Sequence, residues 1–151
     1  MGAVSFILQG KDWFAIIHSK EYGVDFMKVY TQVYVRGSVE AAEMYCQAFG
    51  AEITFQIKDE QGRYAHCELS VNGEGILALA EAPEDCDLSP KTKWQTMAFN
   101  AFELGTREAV DNAYNILKEG GTVIDPLGPC PWSEYCSNLI DKYGVFWWIS
   151  I

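Results

Sequence analysis

The feature that most limits what this 151-residue chain can fold into is an order of elements that occurs twice. Residues 29–35 alternate Val29, Thr31, Val33 and Val35 against Tyr30, Gln32 and Tyr34, the period of two expected of a half-buried strand. Ser38 then offers an N-cap, Glu40 and Glu43 suit the early turns of a helix, and Val39, Ala42, Cys46 and Phe49 recur at helical spacing until Gly50. Strands are expected at 52–58, 63–71 and 76–80, divided by turns at 59–62 and 72–75. The second half repeats this order. A strand at 94–103 leads to Thr106, which can cap a helix with Val110, Ala113 and Leu117 on one stripe, and Gly120 with Gly121 ends it. A strand begins at 122–124, a Pro- and Gly-rich loop covers 125–131, and strands at 134–140 and 145–151 flank a turn at 141–144. Each half reads β-α-β-β-β, so the expected class is α+β, built from two βαβββ modules.

Module one spans 28–81 and module two 94–151, joined by a linker at 82–93 that contains Pro83 and Pro90. Together they make one domain at 27–151, preceded by an N-terminal extension at 1–26 in which 4–8 could form an edge strand and 12–18 a short helix. The balance of 49% hydrophobic to 21% charged residues fits an ordinary globular core rather than a disordered tail. Lys plus Arg number 11 and Asp plus Glu 21, and the resulting −10 repels phosphate backbones and anionic lipid, which argues against nucleic acid and membrane surfaces as partners. The apolar run at 13–17 is too short to cross a bilayer. Cys46, Cys67, Cys86, Cys130 and Cys136 form no C-x-x-C pair and are odd in number, which fits reduced thiols in the cytoplasm.

Three stretches carry a family resemblance. GSVEAAEMYCQAFG at 37–50 resembles the first helix of the vicinal oxygen chelate superfamily, which includes glyoxalase I, bleomycin-resistance proteins and extradiol dioxygenases. AHCELSVNG at 65–73 and PWSEYCSNLIDKYGVFWWISI at 131–151 resemble the PhnB-like branch, whose second copy closes with a Trp, a strand, an Asp-x-[FY]-Gly turn and a Trp-containing strand. The resemblance covers roughly residues 28–151. It implies a cupped mixed sheet with the helices on its outer face, a cavity on the concave side, and a homodimer.

Given that sidedness, strand parity assigns residues to the cavity. Tyr30, Gln32 and Tyr34 face inward on the first strand, Tyr64, His66 and Glu68 on the third, and Phe146, Trp148 and Ser150 on the last; Cys67 and Trp147 face the helices. Metal-using members of the superfamily draw His, Gln or Glu ligands from the first and fourth strands of each copy. Here those places hold Tyr30 or Gln32, Ala78, Thr96 or Met97, and Trp148, with Glu81 the one acid that a slipped register could recruit. The reading is therefore no resident metal and no other cofactor.

His66 is the candidate catalytic residue, as a general base or a hydrogen-bonding group oriented by Glu68 or Gln32. The alternative is a half-buried histidine satisfied by a neighbouring carbonyl, with Glu68 solvated. Candidate ligand contacts are Tyr30, Gln32, Tyr34, His66, Glu68, Trp132, Phe146 and Trp148, whose aromatic content suits a small aromatic or apolar molecule. Cys130 in a loop and Cys136 in a strand match no zinc pattern and have no base beside them in sequence. Three functions follow for comparison: a metal-free small-molecule-binding protein, a metal-dependent lyase, isomerase or dioxygenase, and a dimeric interaction module with a closed cavity.

Overall fold

The computed structural model describes residues 31–88, 97–101 and 104–151. Tyr30, Thr96, the extension at 1–26 and the ends of the strand expected at 94–103 lie outside the described residues. Module one comprises β1 (Gln32–Val35), α1 (Ser38–Phe49), β2 (Glu52–Lys58), β3 (Tyr64–Val71) and β4 (Glu74–Glu81). Module two comprises β5 (Phe99–Ala101), α2 (Arg107–Leu117), β6 (Thr122–Cys130), β7 (Ser133–Ile140) and β8 (Phe146–Ser150). Each module forms a four-stranded mixed sheet of the same order, β1-β4-β3-β2 and β5-β8-β7-β6, in which the first strand runs parallel to the fourth.

Alternation in the strands decides which face is buried. Val33, Val35, Cys67, Leu69, Leu77 and Leu79 turn one face of the first sheet toward α1, and Leu139, Trp147 and Ile149 do the same in the second sheet. These side chains join Ala41, Tyr45 and Ala48 of α1 and Val110, Ala113 and Leu117 of α2 in one continuous core. The helices also meet each other: Asn112 Nδ2 on α2 donates to the carbonyls of Gln47 (3.0 Å) and Ala48 (3.3 Å), two of the free carbonyls that end α1.

The two modules are locked by a buried carboxylate. Asp141, in the β7–β8 turn and 3% exposed, accepts from Tyr45 Oη of α1 (2.8 Å) and Trp147 Nε1 (2.8 Å) through Oδ2. Its Oδ1 accepts from the backbone N–H of Tyr143 (2.9 Å) and Val145 (3.1 Å). Burial raises the Asp141 carboxyl above its ordinary value, and the donors from Trp147, Tyr45, Val145 and Tyr143 oppose that shift without cancelling it. Trp147 itself is wedged between Tyr45, Phe49 and Phe99, with ring centroids 5.4, 4.9 and 5.4 Å away.

Four expectations are corrected. Ser38 does not cap α1: Gly37 is the cap residue at φ 79°, and Ser38 starts the helix. Glu81, at the end of β4, closes the helix from across the sheet by accepting from the N–H of Gly37 (3.1 Å) and Ser38 (2.8 Å), while the Ser38 hydroxyl accepts from Tyr64 N–H (2.8 Å). Thr106, by contrast, caps α2 as expected, accepting from Ala109 N–H. Tyr64 lies in the core at 5% exposure instead of facing away, because a register shift between Ile57 and Lys58 reverses the side chain order where β3 begins. The Pro- and Gly-rich stretch at 125–131 continues β6 through Cys130 rather than forming a loop. It is an edge strand with three register shifts, so Pro126 and Pro129 interrupt no interior ladder. Cys130 accordingly ends a strand. Behind β6, Gly121 is obligatory, since a Cβ there would collide with the Ile140 carbonyl.

Two stability predictions follow from these contacts. Asp141→Asn keeps the two backbone N–H bonds but turns an amide N–H against Trp147 Nε1–H, so urea unfolding should show a loss of about 2–4 kcal/mol, with Tyr45→Phe losing about 1–2 kcal/mol. Unchanged midpoints would contradict the lock. Glu81 is the second case. Burial raises its carboxyl, but the Ser38 N–H and hydroxyl, the Gly37 N–H and Arg63 outweigh it and hold it below 4.5. A lowered folded value means that the stabilisation is complete above pH 4.5 and is lost as pH falls through that lowered value. Unfolding of Glu81→Gln followed from pH 7 to pH 3 should therefore be about 1 kcal/mol weaker than the native chain at neutral pH and converge with it in acid.

Candidate functional site

The face of the first sheet turned away from the helices carries a polar group set among apolar residues. Gln32 of β1 stands opposite Ala78 of β4, which stands opposite Glu68 of β3, so three adjacent strands place a polar–alanine–polar row across the sheet. One alternation along β3 from Glu68 lies His66. Its Nδ1 is 2.9 Å from Gln32 Oε1 and its Nε2 3.0 Å from Glu68 Oε1. The His66 and Glu68 side chains are 16% and 18% exposed, and Phe55 of β2 leans on the imidazole at 5.9 Å between centroids. Ala78, in the middle of the row, is covered at 1% exposure.

Both imidazole nitrogens are thus engaged. An imidazolium donates to both oxygens as drawn; a neutral ring donates from Nε2 to Glu68 and accepts at Nδ1 from the Gln32 amide turned over, an exchange of O and N that the carboxamide allows. The group can hold a proton between two polar anchors or present one to a guest. Glu68 is bound to His66 rather than solvated, and it is a side-chain amide rather than a backbone carbonyl that meets Nδ1.

The second sheet repeats the row with different residues. Asn100 of β5 stands opposite Trp148 of β8, and Trp148 opposite Asn138 of β7. Asn138 Nδ2 donates to Asp125 Oδ2 at 2.8 Å. Asn100, exposed on its strand, is the residue that sequence parity misses: parity points to Thr96 or Met97 as the counterpart of Gln32, and the register puts it at Asn100. Only a pairing partner fixes that offset, and the repeat in β5 has no sharp alternation to reveal it.

The remaining candidates are dispersed. Tyr34 shares the face of Gln32 and is 52% exposed. Trp132 sits in the β6–β7 turn at 75% exposure, away from any described contact with His66. Phe146 shares the face of Trp148 but is 3% exposed, so it is covered rather than available. Two surface grooves lie elsewhere. One of about 380 Å³ runs past Arg36, Cys86 and Tyr143, and another of about 380 Å³ past Glu40, Glu43 and Glu119. Neither reaches His66 or Trp148.

The places from which metal-using relatives would draw ligands hold Gln32, Ala78, Asn100 and Trp148. This set offers two neutral amides and no carboxylate or imidazole, and the Gln32 amide is already bound to His66. Glu81 is committed to the N-terminus of α1. Among the described residues no cluster of three or more His, Cys, Asp or Glu side chains could hold an ion. The described residues at these places do not fit a divalent metal.

No curated protein sequence matches the chain. Among solved structures it is similar to the PhnB protein of Bacillus cereus, at 24% identity and a TM-score of 0.66, covering 82% of this chain and 98% of that one. It is similar to protein PA1353 of Pseudomonas aeruginosa, at 21% identity and a TM-score of 0.64, covering 83% and 97%. A fosfomycin resistance protein, FosX, of Listeria monocytogenes, solved with Mn(II) and a dihydroxypropylphosphonic acid, matches at 14% identity and a TM-score of 0.56, covering 84% and 93%. At these identities the likeness shows the shared fold. A family model matches residues 29–149, nearly all of both modules, and with the repeated βαβββ order it establishes that the chain belongs to the Glyoxalase/Bleomycin resistance protein/Dioxygenase superfamily.

Proposed function

We propose that this protein binds a small aromatic or apolar molecule, without a resident metal, on the faces that carry His66 and Trp148. The observation that carries the reading is the Gln32–His66–Glu68 group, a half-buried donor and acceptor set held at 2.9 and 3.0 Å on a sheet face that also carries Tyr34 and Phe55. A ligand there gains apolar burial from the aromatics and orientation from one or two polar contacts, the usual composition of a small-molecule site. Trp148, with Asn100 and Asn138 beside it, supplies a stacking surface on the second sheet.

His66 acts here as a hydrogen-bonding anchor. A general base needs a free nitrogen aimed at the substrate, and freeing one costs His66 a contact with Gln32 or Glu68. The chain's −10 disfavours an anionic ligand and nucleic acid. The binding unit is a homodimer in this reading, and exposed Tyr34 (52%) and Ile76 (42%) on the first sheet are the apolar surface that pairing would cover. The five unpaired thiols suit the reducing cytoplasm. No described helix is long and apolar enough to cross a membrane.

Two measurements test this. In a fluorescence titration against a panel of planar aromatic compounds, a binder should be found whose affinity falls on the order of ten-fold in His66→Ala and in Trp148→Ala, about 1.4 kcal/mol each. Loss of neither contact mattering would remove the site. Elemental analysis of the purified protein should find no stoichiometric divalent ion, and a chelator should leave binding unchanged. A tightly held metal on which turnover depends would establish the metal-dependent lyase, isomerase or dioxygenase instead, and a dimer whose faces fill each other would establish the interaction module.

A further inference from the structure

The groove past Arg36 and Tyr143 lies where both modules and the start of the linker meet, away from the ligand faces described above. Arg36, between β1 and the Gly37 cap of α1, draws the linker back onto module one: its Nη2 donates to the carbonyls of Pro83 (3.4 Å), Glu84 (3.1 Å) and Cys86 (3.0 Å). Ala82 N–H on the Val35 carbonyl (2.8 Å) and Cys86 N–H on the Pro83 carbonyl (3.0 Å) complete the fold-back. From module two comes Lys142, the neighbour of Asp141. Its backbone is held by the bonds that Asp141 makes to Tyr143 and Val145, and its Cβ lies close to the chain just after α2, where a Cβ on Gly120 would come within 3.3 Å of it. The Lys142 Nζ rests over the Tyr143 ring, 5.2 Å from the centroid.

Neither cation is matched by a nearby carboxylate. Among the described residues the ion pairs join Arg63 to Asp59, His66 to Glu68 and Arg107 to Glu134, and Arg36 and Lys142 are in none of them. Arg36 spends its Nη2 on neutral carbonyls, and among the described residues nothing accepts from its Nε or Nη1. Lys142 also lines the groove past Glu40, Glu43 and Glu119, yet pairs with none of those glutamates. We infer that the groove past Arg36 is a binding site for a small organic oxyanion, a carboxylate or a phosphate, held between the Arg36 guanidinium and the Lys142 ammonium with its apolar part against Leu88 and Tyr143. The cavity of about 380 Å³ is of the size that small-molecule sites have. Asp87 lines it as well, so two cations stand against one carboxylate and the lining stays positive. The chain's −10 does not reverse this, because at physiological ionic strength charges beyond about 8 Å are screened and the groove's own side chains set its potential. The guanidinium supplies charge-assisted N–H donors and the ammonium a point charge, the two usual partners of an oxyanion. Arg36 belongs to module one and Lys142 to module two, so the bound anion ties the modules together beside the Asp141 lock and favours the folded chain.

Titrating the intact ¹⁵N-labelled chain with sodium butanoate, inorganic phosphate and neutral butanamide, at ionic strength matched with sodium chloride, tests the proposal by NMR. Butanoate or phosphate should shift the Arg36 Nε–H and the backbone amides of Leu88 and Gly144 to saturation, and butanamide should not; the anion that saturates at the lower concentration identifies the site as one for carboxylates or for phosphates. Lys142→Gln, a change on an exposed side chain, should weaken that anion on the order of ten-fold, and Arg36→Gln at least as much. The saturating anion should also raise the thermal midpoint of the native chain but not that of Lys142→Gln. Butanamide binding as well as butanoate, shifts that never saturate, or an unchanged affinity in Lys142→Gln overturns the proposal. If Arg36→Gln releases the linker and fails to fold, Lys142→Gln decides alone. His66→Ala should leave every one of these shifts in place, so the outcome is separate from whether the His66 face binds a ligand.

Discussion

Asp141 receives four hydrogen bonds on two oxygens, and its donors come from both halves of the duplicated chain: Tyr45 from the helix of module one, Trp147 and two backbone amides from the closing hairpin of module two. Tyr45 is fully buried, so its hydroxyl has no water to fall back on. Much of the rest depends on this contact. It fixes the ring of Trp147 against Tyr45, Phe49 and Phe99, and because neighbours on a strand point to opposite faces, it also sets which way Trp148 is presented. A polar lock in the core thereby orients an aromatic surface outside it.

The repeated order of elements was legible because each module writes its own punctuation. Alternation around Val33 and Val35, the Gly50 stop, the Thr106 cap and the Val110–Ala113–Leu117 stripe are all local signals, and all are found in the structure. What escaped depends on partners distant in sequence. Glu81 replaces Ser38 as the cap of α1 from across the sheet, and no local rule announces that. Prolines at 126 and 129 read as a loop, although an edge strand tolerates them. The bulge that turns Tyr64 into the core is set by its pairing with β2. For the candidate site, parity correctly put Gln32, His66 and Glu68 on one face, but their mutual contacts and the position of Asn100 required the register.

The two sheets have kept a common scaffold while diverging in chemistry. Where the first has Gln32, Ala78, Glu68 and His66, the second has Asn100, Trp148, Asn138 and Cys136. The first row carries an imidazole with its hydrogen-bonding partners; the second carries an indole and a thiol. Among the described residues neither row assembles a charged ligand set for a divalent ion: the first has one carboxylate, Glu68, which is bound to His66, and the second has none.

The central claim, that the Gln32–His66–Glu68 face is a working site that needs no metal, is tested most directly by following ring nitrogen resonances. In ¹⁵N-labelled protein treated with a chelator, His66 Nδ1 and Nε2 and the Trp148 indole should shift together as an aromatic ligand is added. Shifts confined to the groove at Arg36 and Tyr143, or appearing only once a divalent cation is restored, would contradict it.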